Sequence, residues 1–116
     1  MGEVQVVLDS VAVAADDSET NATGVNINNL NGAMVVMKVT GDSTSVTFNW
    51  YTKPEKTGSF DDSAFASYTL SNADGQKTMP IPGLSSVFAI TCTAVNNDTE
   101  NPCTVDAGIV ANYKWG

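Results

Sequence analysis

In Val46-Thr47-Phe48-Asn49-Trp50-Tyr51, apolar and polar side chains alternate strictly. Successive side chains on a strand point to opposite faces, so this period of two places Val46, Phe48 and Trp50 on one face and Thr47, Asn49 and Tyr51 on the other. A helix would scatter the same residues around its axis. The pattern returns twice downstream. Between Ser86 and Val95, one face collects Phe88, Ile90, Cys92 and Ala94; between Cys103 and Trp115, one collects Cys103, Val105, Ala107, Ile109, Ala111, Tyr113 and Trp115. The sequence therefore predicts half-buried strands, each with a single core face.

Other segments are almost continuously apolar: Val4 to Leu8, Val11 to Ala15 and Ala33 to Val39. Their β-branched content and bracketing turn residues favour strands over helices. Val25 to Leu30 alternates again, and Asn31-Gly32 supplies a tight turn into the Ala33 run. Gly41-Asp42-Ser43-Thr44 separates that run from the Val46 strand, which predicts a hairpin. Thr52 to Ala64 holds Pro54, Gly58 and Asp61-Asp62 and reads as a long surface loop anchored by Phe60 and Phe65, with room for one helical turn at most. Ser67 to Leu70 and Lys77 to Ile81 read as further strands. About eight short strands and no significant helix predict an all-β fold, a two-sheet antiparallel sandwich of jelly-roll or immunoglobulin-like type, with a barrel as the lesser alternative. At 116 residues, residues 1–116 are expected to form a single domain.

Charge narrows the function. The net charge is −8, and all five cations are lysines. Nucleic-acid binding depends on neutralising phosphates, and an acidic chain without arginine lacks that footprint; anionic membrane surfaces are disfavoured on the same ground. No apolar stretch reaches the length of a membrane-spanning helix, and Met1-Gly2-Glu3-Val4 does not open a signal peptide, so a soluble chain is expected. Gly2 does not mark myristoylation, because Val6 stands where that motif wants Ser or Thr.

Catalytic chemistry is poorly provided for. With no histidine in the chain, nucleophilic catalysis loses its usual base and zinc its usual ligand. Asp61 and Asp62 are adjacent and point apart, whereas glycoside hydrolysis needs two carboxyls facing one sugar. No catalytic residue, cofactor or resident metal is expected. Calcium, at Asp16-Asp17-Ser18-Glu19 or Asn96 to Asn101, is the lesser alternative to ordinary turn chemistry, since neither stretch has EF-hand spacing. Asn21-Ala22-Thr23 and Asn97-Asp98-Thr99 match the glycosylation pattern, which without an export signal reads as chance. Cys92 and Cys103 flank what reads as a hairpin loop; folding it about Thr99 sets Cys103 opposite Val95, an offset that suits a disulfide poorly. Two buried or half-buried thiols are therefore favoured over a Cys92–Cys103 bond.

Aromatic residues offer surface candidates. Trp50 belongs to the core face, but Tyr51, on the opposite face, and Tyr113 and Trp115, near the C-terminal end, are candidates for an interface or a sugar-stacking platform.

Gly32 to Gly41, followed by Ser45 to Tyr51, then the Pro82-Gly83-Leu84 turn into Phe88-Ala89-Ile90 and a closing strand, resembles small β-sandwich virion proteins of tailed bacteriophages, of the capsid decoration or cement type. The pattern spans roughly residues 4–114. Thr52-Lys53-Pro54-Glu55 departs from the family's usual S-x-D-G. The resemblance implies a non-enzymatic protein, soluble in the host cytoplasm before assembly and then on the exterior of the virion capsid. It further implies a homo-oligomer, trimer or dimer, that stabilises the head by binding neighbouring major capsid subunits. A tail or fibre component, or a stand-alone carbohydrate-binding or adhesive module, is the alternative.

Overall fold

Alternating strands bury one face each, and in the computed structural model two sheets close on those faces. The structure describes residues 2–19, 25–26, 33–71, 75–80 and 89–112. Among the described residues nine strands follow in chain order: β1 (Gly2–Val13), β2 (Ser18–Glu19), β3 (Val25–Asn26), β4 (Ala33–Gly41), β5 (Ser45–Lys53), β6 (Ala66–Ser71), β7 (Gln76–Pro80), β8 (Ala89–Asn96) and β9 (Cys103–Asn112). The front sheet has the order β1-β9-β4-β7; the back sheet runs β2-β8-β5-β6, with β3 also paired to β8. All pairings are antiparallel. With β2 and β3 taken as one interrupted strand, the eight positions run 1-8-3-6 and 2-7-4-5. This is the jelly-roll arrangement of the two-sheet sandwich.

The alternation read from the sequence decides the core. Val46, Phe48 and Trp50 from β5, Ile90, Cys92 and Ala94 from β8, and Cys103, Val105, Ala107 and Ile109 from β9 are all buried. Val35, Met37 and Val39 of β4 complete the front sheet's inner face. Trp50 is 0% exposed, and its indole Nε1 donates to the Met37 Sδ at 3.5 Å, so the one polar atom of the largest core side chain finds a partner in the opposite sheet. Burying an indole removes about 200 Å² from water, worth roughly 5 kcal/mol at about 25 cal/mol per Å² as an upper bound.

The two apolar runs Val4–Leu8 and Val11–Ala15 meet in one strand. Register shifts between Val6 and Leu8 and between Leu8 and Val11 mark bulges against β9. They turn both Val7 and Leu8 inward. Ser10, at φ 48°, is held by Asp106, whose Oδ1 accepts from the Ser10 amide at 2.9 Å and its hydroxyl at 3.3 Å. The loop after β5 is anchored as expected: the Phe65 amide donates to the Trp50 carbonyl at 2.9 Å, Phe65 packs on the core, and the Lys53 Nζ lies 5.8 Å from the Phe60 ring centroid.

Two expected hairpins are not formed. β4 and β5 lie in different sheets, and so do β8 and β9. Each connection is an arch that carries the chain across the core rather than a turn between paired neighbours. A hairpin and an arch both send alternate residues inward, so the local pattern is identical; the difference lies in which strands claim the edges. β4 is flanked by β9 and β7, and β8 by β5 on one side and β2 and β3 on the other. β3 belongs to the opposite sheet from β4, while Asn31-Gly32 lies outside the described residues.

Candidate functional site

Where the arches meet, a buried polar knot ties them together. Asn96 is 0% exposed. Its Nδ2 donates to the carbonyls of Asn101 at 2.9 Å and Ala14 at 3.2 Å, and its Oδ1 accepts from the Ser43 hydroxyl at 2.6 Å and the Asp98 amide at 3.0 Å. Asp98 accepts four N–H bonds, from the amides of Glu100 (2.8 Å), Asn101 (3.0 Å) and Thr44 (3.0 Å) and from the Asn101 Nδ2 (3.2 Å). These donors, the Glu100 amide foremost, hold its carboxyl well below the usual carboxylate range. The Asp16 amide donates to the Asp98 carbonyl and the Asn96 amide to the Asp17 carbonyl, both at 2.8 Å. The fold thus brings together the two stretches weighed for calcium, but it lines the Asp98 carboxylate with N–H groups. A cation needs oxygen ligands there, and these oxygens are already committed to donors. Among the described residues no group of three or more His, Cys, Asp or Glu side chains could hold a metal.

The cysteines sit as free thiols in separate sheets, both buried. Burial pushes the Cys92 thiol well above its ordinary value. Cys103 is also raised, by burial first and then by the Asp98 charge, with the Ser43 hydroxyl partly offsetting them. Tyr51 is half-buried on the outward face of the back sheet, opposite Thr91 in register. Tyr113 and Trp115 lie outside the described residues. Asp61 is drawn into the loop, where its Oδ2 accepts from the Thr52 hydroxyl at 3.1 Å.

The surface that stands out is the outer face of the front sheet. On β9, Gly108 has Val6 of β1 on one side and Val36 of β4 on the other. Without a side chain at Gly108, this row sinks into a groove of about 300 Å³, bordered by Val110 on one side and by Asp106 and Lys38, directly opposite each other in register, on the other. Val6 is 53% and Met34 41% exposed, and they are the exposed large hydrophobic residues among those described. Sequence reasoning missed this face, although its signal was present: β1 and β4 are apolar on both faces, whereas a strand with one solvated face alternates.

Fold and surface together define a small jelly-roll β-sandwich module with an apolar outer patch. No protein-family model and no curated protein sequence matches the chain. Among solved structures it is similar to the Yersinia pseudotuberculosis-derived mitogen, at 7% identity and a TM-score of 0.52 over 100% of this chain and 91% of that one. It is also similar to the SPBc2 prophage-derived protein YomS, at 15% identity and 0.49 over 96% and 94%. A third is the carbohydrate-binding module CBM6cm-2 of Cellvibrio mixtus lichenase 5A, at 12% identity and 0.45 over 97% and 88%. At such identities the likeness to the mitogen is one of fold.

Proposed function

We propose that this chain is a non-enzymatic virion structural protein that decorates a bacteriophage capsid, docking on neighbouring major capsid subunits through the outer face of its front sheet. The observation that carries the reading is the exposed pair Val6, which lines the Gly108 groove, and Met34, which lies opposite the groove residue Val110 in register. Apolar residues clustered around a depression and rimmed by a few charges fit a protein partner better than solvent. The sequence resemblance to capsid decoration proteins supplies the kind of partner, and the jelly roll is an architecture that capsid domains use. A protein that binds only the assembled lattice stabilises it by mass action, without any chemistry of its own.

Purified protein added to expanded phage capsids is expected to bind saturably, in a fixed ratio per capsomer visible by electron microscopy. Val6→Asp combined with Met34→Asp places charges on exposed positions, keeps the fold, and is expected to weaken binding by about a hundredfold. Failure to bind any virion part would sink the reading. Saturable binding unchanged by the double variant would move the docking face elsewhere.

A further inference from the structure

A sheet edge exposes a row of unpaired N–H and C=O groups, and stable proteins blunt such rows with bulges, prolines, charges or a covering segment. Among the described residues, three of the four edges of this sandwich are blunted. β1 carries two bulges and a positive φ at Ser10. β7 is five residues long, bears Lys77 and ends at Pro80. The other edge of the back sheet is formed by β2 and β3, two residues each, paired to β8 at Val95 and Ala94 and at Ile90 and Ala89, too short to offer a continuous row.

β6 is the exception. Its sequence is Ala-Ser-Tyr-Thr-Leu-Ser, without proline, glycine or charge, and its register with β5 runs unbroken from Ser45↔Ser71 to Trp50↔Ala66. Among the described residues no strand lies on its other side. We propose that β6 is the edge through which two copies of this chain pair, antiparallel about a two-fold axis through Tyr68, so that two back sheets become one continuous sheet.

Three considerations single out a second copy as the occupant. A chain of net charge −8 repels itself over most of its surface, and an uncharged edge is where that repulsion is least. Antiparallel ladders pair residues of like hydrogen-bonding type, so a symmetric pairing must be centred on a residue. Centring on the middle of the strand sets Ser67 opposite Thr69, Ala66 opposite Leu70 and Tyr68 opposite its own copy. Ser67 and Thr69 are exposed on the outer face, where Ser67 Oγ donates to Asn49 Oδ1 at 2.6 Å and the Thr69 and Thr47 hydroxyls stand 2.9 Å apart. Pairing extends this polar row across the axis. On the inner face Tyr68, partly buried against the core, meets the partner's Tyr68 and closes the rim. The proposal concerns the back sheet and stands apart from the docking face of the front sheet.

Sedimentation equilibrium over a range of concentrations tests it. The native chain is expected to dimerise. Ser67→Lys together with Thr69→Lys sets introduced lysines opposite each other twice per dimer, and is expected to weaken dimerisation by about tenfold or more. Ser67→Lys together with Thr69→Glu sets opposite charges across the same axis and restores it, while circular dichroism shows all three chains folded. A monomer at every concentration, or a dimer indifferent to both double variants, overturns the proposal, as does a dimer that Val6→Asp dissociates while the paired lysines do not.

Discussion

Replacing Asn96 by alanine tests whether the polar knot, rather than the hydrophobic core alone, holds the two arches. The side chain is fully buried and makes bonds at 2.6, 2.9, 3.0 and 3.2 Å, with a longer, weaker one of 3.5 Å to the Val13 carbonyl. The losses differ in kind. The Ser43 hydroxyl can turn to the Ser45 carbonyl, 3.2 Å away, and recovers a bond. The carbonyls of Ala14 and Asn101 belong to residues that reach solvent, so water replaces their partner. The Asp98 amide, on a buried residue, is left without an acceptor, which costs about 1–3 kcal/mol, while each ordinary bond lost costs about 1 kcal/mol. The sum is about 3–5 kcal/mol, a large part of the roughly 5–15 kcal/mol that stabilises a domain of this kind. At about 4 °C per kcal/mol, Tm should fall by about 12–20 °C in a thermal melt followed by circular dichroism. Asn96→Asp keeps the acceptor side but turns a charge toward carbonyl oxygens and Asp98, so it should lose more at pH 7 than at pH 4. A loss below about 1 kcal/mol for Asn96→Ala would refute the reasoning, because the knot would then add nothing beyond the packing around it.

Other expectations follow from single groups. Thr91 is buried in β8 with an Oγ1 that finds no hydrogen-bond partner, so Thr91→Val, of the same shape, should raise stability by about 1 kcal/mol, read as a Tm gain of about 4 °C. Gly41 has φ +119°, and a Cβ there would meet the Cys103 Cα and the Pro102 carbonyl at 3.4 Å; Gly41→Ala should cost about 1–3 kcal/mol in a denaturant titration. Because the folded state depresses the Asp98 carboxyl, its stabilisation is complete above the unfolded value near 3.9 and is lost as pH falls through the folded one; melts in acid should show a slope that Asp98→Asn flattens. Burial raises the Cys92 thiol, so stability should be full below about pH 8.5 and decline above it, and a thiol reagent should label native protein far more slowly than unfolded protein.

The strands and their core faces were legible because burial of alternate residues is a local property. Val46, Phe48 and Trp50 had to face one way whichever neighbours β5 acquired. The choice of neighbour is not local. Gly41 to Ser45 looks like a hairpin turn, and only the competition of β9 and β7 for the two edges of β4 converts it into an arch. The same competition separates Cys92 from Cys103. The bulges of β1 escaped notice because Asp9-Ser10 reads as a break between strands until Asp106, far along the chain, supplies the acceptor that holds Ser10. For the surface, the sequence drew attention to aromatic residues. The apolar patch is instead built from aliphatic residues of β1, β4 and β9 that only the register brings into one row.

That register also dictates an order of events during synthesis. β1 forms a backbone ladder only with β9 among the described strands, with Gly2 opposite Asn112. Of this pair, β1 leaves the ribosome before β9 and waits for it before its backbone is paired. Until then the apolar β1 segment has no completed front sheet to bury it, and closing so long a loop is slow. An acidic, sparsely basic sequence that stays dispersed while it waits suits such a fold, and truncation anywhere before β9 should yield an aggregating fragment rather than a smaller sandwich.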